Sequence, residues 1–262
     1  MKNKLKIALI SLMGAIVVNA YAGTNEIWPG FTTTASDADA ANQEFSAYLF
    51  GKTEYINNWK SKFGDQELKP SKDYFKSENA VLVYIETSIL KDLFQTNAEE
   101  KLKEEKIKDL LAVRQYRYEK VLSEEDKKYE NGIDANTGIL EYVDSRVTQI
   151  DEFELADKHQ YCTLSNIDYQ SKSSVIDCIE TSPAEFVAVA AGYQLDKLDP
   201  QGTWKSDAEK NLQSPVDLLQ SYYQKLNNEE LLARIEKVKA SYHYDDLLQK
   251  FNSILDMGNT VG

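Results

Sequence analysis

The sequence predicts an all-α protein, a multi-helix orthogonal or bundle-like domain with one irregular, disulfide-bearing loop. Three observations lead there. Gly and Pro number only 11 and 5 in 262 residues, and the stretches 71–131 and 139–182 contain neither. A sheet protein of this size needs many tight turns, so such gaps argue for helices. Apolar residues also recur at three- and four-residue steps along most of the chain. Finally, the two cysteines, Cys162 and Cys178, fall in a polar stretch where that rhythm fails.

The elements follow in order. Lys2, Lys4 and Lys6 precede an apolar run from Ile7 to Val18 that closes on Ala20-Tyr21-Ala22. This is the pattern of a secretory leader, too short to cross a hydrocarbon core of roughly 30 Å, with cleavage expected after Ala22. No cysteine stands at the cleavage site to accept a lipid anchor. Residues 23–35 are polar and expected to be flexible. A main helical region is expected over 36–196, a connection over 197–214, and C-terminal helices packing on the same body over 215–262.

Ser36, Asp37 and Asp39 resemble a helix start. Phe45, Tyr48, Leu49, Ile56, Trp59 and Phe63 form a stripe that ends at Gly64 and Pro70. Ala80–Leu90 is ambiguous because Val81, Val83 and Ile85 alternate as in a strand. The stripe continues through Ile89 and Leu93, which favours a helix running on into the charge-rich segment 98–108. Ile107, Leu110, Leu111, Tyr118, Val121 and Leu122 restore an apolar face. Asn131–Gly138 reads as a turn cluster with a faint calcium-loop likeness, which fails because the fifth and twelfth loop positions hold Gly138 and Ser145. Leu140, Val143, Val147, Ile150 and Phe153 mark a further helix.

The segment 157–181 is read as an irregular excursion fastened by a Cys162–Cys178 disulfide, the expected state of two thiols in an oxidising compartment. Ser182-Pro183-Ala184-Glu185 reads as a capping box opening a helix to Leu195 that is apolar on all sides and therefore buried. Trp204 stands alone in the connection, either as a core plug or as a ligand platform. Ser214-Pro215 begins the next helix, Asn228 is read as the cap of another, and Leu247, Leu248, Phe251, Ile254 and Leu255 carry the pattern towards the end.

Composition bounds the function. The chain carries 43 acidic and 30 basic side chains, and loss of a leader with three lysines would take its net charge from −13 to −16. Such a field repels phosphate backbones and anionic lipid, so nucleic-acid binding and a stable membrane anchor are not expected. A protein partner with a basic surface suits it better. No nucleophile elbow, phosphate-binding glycine loop or metal-binding His-Glu-x-x-His helix occurs, and no catalytic residue, metal or cofactor is expected. The candidate ligand or partner contacts are Tyr242, His243 and Tyr244, a polar-aromatic cluster, together with Trp204. These residues describe a soluble periplasmic or secreted helical protein acting as a binding or interaction module. An envelope glycan hydrolase using a carboxylate pair, or a small-molecule carrier, is the alternative.

Overall fold

A computed structural model describes residues 26–34, 38–95, 99–152, 154–155 and 172–256. Among them are eleven α-helices and one two-stranded ribbon, so the protein is all-α. The ribbon pairs β1 (Glu26–Trp28) with antiparallel β2 (Phe31–Thr32). The helices are α1 (Ala38–Phe50), α2 (Thr53–Phe63), α3 (Ser77–Gln95), α4 (Glu100–Tyr116), α5 (Glu124–Val147), α6 (Lys172–Ser182), α7 (Val189–Leu198), α8 (Thr203–Asn211), α9 (Pro215–Tyr223), α10 (Asn228–Ser241) and α11 (Tyr244–Asp256). A 3₁₀ turn spans Lys72–Phe75, and π-helical segments span Arg117–Val121 and Pro183–Ala188.

At the centre lies α3, packed against α4, α6 and α11. Residues Ala80 to Ile85 are all buried, which explains the ambiguous pattern of this stretch. A helix enclosed on every side needs apolar residues at every position, and its period then carries no information. The second axis is α5, which packs on α1, α7, α9 and the Pro183–Ala188 segment. Phe186 to Leu195 are buried without exception, as the all-round apolar pattern requires. Gly192 allows this approach, because a Cβ there would stand 2.5 Å from the ring of Tyr142.

Several expectations are corrected. The described part of 23–35 is anchored: Trp28 is 1% exposed and meets the rings of Phe45, Tyr142 and Trp204, while Lys205 Nζ donates to the Ile27 carbonyl at 3.0 Å. The long stripe over 45–63 breaks at Gly51 into α1 and α2. Asn131–Gly138 is the middle of α5, not a turn or a calcium loop. Several of its helix-poor residues contact neighbouring elements. A Cβ at Gly132 would overlap Leu68 Cδ1, Asn131 accepts a hydrogen bond from Tyr118, and Asp134 pairs with Arg114.

The connection 197–214 contains α8, held at its start by Asp199, whose Oδ2 accepts from Trp204 N at 2.9 Å and Thr203 Oγ1 at 2.5 Å. From Lys172 onward the expected irregular loop is helical, with Val175, Cys178 and Ile179 buried at helical spacing. Ser182-Pro183 does not open a helix. The chain stays helical from Lys172 through Leu198, and a π-helical segment carries it past the proline, which has no N–H to offer an α-helical ladder. Asn227 rather than Asn228 caps α10, completing a capping box with Glu230.

Candidate functional site

Helix α4 presents two faces of different chemistry. Its outer face, with α10, forms a groove of about 500 Å³ lined mainly by charged side chains, with Leu226, Ala233 and Val238 among them. The helices run antiparallel because Gln115, on the last turn of α4, grips the chain just before α10. Its Nε2 donates to the Leu226 carbonyl at 2.8 Å and its Oε1 accepts from Leu226 N at 3.0 Å. At the middle of the groove Arg234 joins two carboxylates of α4, Nη1 to Asp109 Oδ1 at 2.7 Å and Nη2 to Glu105 Oε2 at 3.0 Å. The carboxylates lie one turn apart on the same helix face, so a single guanidinium reaches both.

Their environments differ. Hydrogen bonds from Lys108 and Arg234 hold the Glu105 carboxyl below its usual range, whereas burial raises that of Asp109 against the pull of Arg234. At the other end of the groove, the Tyr242 hydroxyl donates to Asp92 at 2.7 Å and accepts from Lys106 Nζ at 2.9 Å, and Lys106 reaches the same Asp92 oxygen at 2.9 Å. Burial, then the bond to Asp92, pushes the Tyr242 phenol far up, so it stays a neutral hydroxyl.

The inner face of α4 enters a sealed charge cluster. Arg117 Nη1 donates to both oxygens of Glu86 at 2.9 Å and to Glu130 Oε1 at 3.1 Å, Nη2 donates to Glu130 Oε2 at 2.7 Å, and Nε donates to Asn79 at 2.9 Å. Arg114 pairs with Glu130 and Asp134 and lies 3.7 Å from Glu86. Tyr74 donates to Glu130 Oε2 at 2.9 Å. Side chains of Glu86, Glu130, Asp134 and Arg117 are at most 1% exposed, so no substrate reaches them in this conformation.

Of the residues singled out from sequence, Tyr242 lines the groove. His243 is exposed beside it, in a left-handed conformation with φ 52° at the α10–α11 turn. Tyr244 is buried, with Lys239 Nζ 4.6 Å from its ring centre. Trp204 is a core plug, 2% exposed, stacked edge-on at 5.2 Å from Tyr142 and donating to Asp196 Oδ1 at 3.1 Å. It does not share a site with Tyr242. Cys178 is buried on α6, and Cys162, with the proposed pairing, lies outside the described residues, as does the leader.

Sequence reasoning missed Arg234, Lys106, Asp92 and the whole buried cluster. The cluster did leave a trace: Glu86 interrupts the apolar run 80–90, and Arg114 and Arg117 sit three apart inside an otherwise apolar face. Among the described residues no group of His, Cys, Asp and Glu is arranged to hold a metal ion, and no helix is long and apolar enough to cross a membrane. No protein-family model, curated protein or solved structure matches the chain.

Proposed function

We propose that this is an exported helical binding module, acting in the cell envelope or outside the cell, and that the α4–α10 groove is where it meets another protein. The observation that carries this reading is the groove itself: a mainly polar lining in which Glu105, Lys106, Asp109, Arg234 and Lys237 alternate in sign suits a polar protein segment better than a uniformly apolar ligand. The leader pattern supports export, and the acidic mature charge favours a partner with basic character. Obstructing the groove with Ala233→Trp, at an exposed lining position, should abolish capture of the partner from the protein's own envelope fraction while the helical circular dichroism is unchanged. Equal capture by the variant would remove the groove from the proposal.

Export also implies that Cys162 and Cys178 are joined. A bridge closing about 17 residues contributes on the order of 3 kcal/mol. Titration of unfolded, unreduced protein should find no free thiol.

One feature favours a second reading, a glycan hydrolase with a carboxylate pair. Glu105 and Asp109 face the same groove and are pushed in opposite directions, as an acid and a base would be. Against it, Arg234 occupies the space between them and neutralises both. Glycan cleavage that disappears in both Glu105→Gln and Asp109→Asn would favour the hydrolase.

A further inference from the structure

The sealed cluster contains three carboxyl groups, Glu86, Glu130 and Asp134, but only two guanidinium groups, Arg114 and Arg117. All five side chains are at most 7% exposed. If every group were ionised, one negative charge would lie uncompensated in the interior, where an unpaired ion costs far more than a neutral acid.

The hydrogen bonds show which carboxyl is left over. Glu130 accepts hydrogen bonds from Arg117 and the Tyr74 hydroxyl and is ion-paired with Arg114, and its carboxyl is held below the usual range despite burial. Glu86 receives Arg117 on both oxygens. Asp134 receives Arg114 on Oδ2 alone, and its Oδ1 has no hydrogen-bond partner among the described residues.

We infer that Asp134 is a proton-binding site inside the fold, holding its proton on Oδ1 at neutral pH, so that the protein takes up one proton on folding. The surroundings agree from every side. Facing Asp134 are Arg114 from α4, Tyr118 from the π-helical segment, Glu130 from its own helix, Glu86 from α3 and Asp217 from α9; Arg117 and Tyr74 complete the cluster around Glu130. Burial drives the Asp134 carboxyl well above its ordinary range; Arg114 opposes this, while Glu130, Asp217 and Glu86 reinforce it.

The sign of the pH dependence follows. A carboxyl raised in the folded state contributes its full stability below its unfolded value of about 3.9, and this is lost as pH rises towards the folded value. Asp134→Asn is the neutral isostere: its carbonyl accepts from Arg114 and its amide replaces the protonated oxygen. Urea unfolding of both proteins across pH 5 to 8 tests the assignment. The folding constant of the unaltered protein should fall relative to that of Asp134→Asn by about tenfold per pH unit, the signature of one proton.

Parallel pH profiles would overturn it. If Asp134→Asn does not fold, infrared spectroscopy of the unaltered protein at neutral pH decides. Because burial also raises the Glu86 carboxyl, the aspartates are labelled with carbon-13: a protonated-carboxyl stretch that moves with the label, shifts on deuteration and vanishes on unfolding supports the site, and its absence refutes it.

Discussion

At the scale of single residues, two glycines on helices show when packing overrides local preference and when it does not. Gly192 on α7 faces the Tyr142 ring, whose Cδ2, Cε2 and Cγ would lie 2.5, 2.9 and 3.2 Å from an added Cβ. That ring cannot retreat. It is fully buried, it stands edge-on to Trp204 and Trp28, and its hydroxyl donates to Asp196 at 2.6 Å. Overpacking at such a site costs about 1–3 kcal/mol, more than the roughly 1 kcal/mol that alanine gains over glycine in a helix. Gly192→Ala should therefore lower the urea midpoint. Gly132→Ala should be close to neutral, because the atom it meets is the end of the half-buried Leu68 side chain, which can turn aside. A Gly192→Ala protein as stable as the unaltered one would show that the Tyr142 ring is not fixed.

At the scale of elements, the legible helices were those with both a cap and a one-sided stripe. Ser214-Pro215 opens α9 as its sequence indicates, with Ser214 Oγ accepting from Asp217 N at 3.0 Å, and Gly64 ends α2 with φ 91°. The same rules misled where residues serve the interior. Asn131, Gly132, Asp134 and Asn136 look like a turn because their helix propensities are poor, yet α5 runs through them, and the first three make tertiary contacts that a single sequence does not display. The capping box on α10 offers a clean test of local chemistry. Asn227 Oδ1 accepts from Glu229 N and Glu230 N at 3.0 Å, and Glu230 Oε2 accepts from Asn227 N at 3.2 Å. Asn227→Ala should cost about 1 kcal/mol in chemical denaturation. Because the Glu229 and Glu230 amides lose their acceptor, the loss should be accompanied by faster amide exchange in the first turn of α10.

At the scale of the whole molecule, Arg117 is the point where the separate elements meet. It joins α3 through Glu86 and Asn79, α5 through Glu130 and, by way of Glu130, the Tyr74 turn. Its role could not be read from the chain, because which carboxylates converge on an arginine depends on how the helices pack. Arg117→Met preserves much of the side-chain volume but leaves Glu86 with only Arg114 at 3.7 Å and removes two bonds from Glu130. Breaking a buried pair on one side costs about 3–5 kcal/mol. The penalty should itself depend on pH. In the intact protein the Glu130 carboxyl is depressed, so its contribution is present above the unfolded value of about 4.3 and fades as pH falls through the folded value. Without Arg117, both glutamates lose their main counter-charge: the Glu130 carboxyl is no longer held down, that of Glu86, already raised by burial, rises further, and the variant recovers stability by taking up protons as the solution is acidified. Urea midpoints of the two proteins should thus lie closer together at pH 5 than at pH 8. An equal separation at both pH values would mean that the loss is one of packing, and that the charge cluster contributes shape rather than electrostatics to this fold.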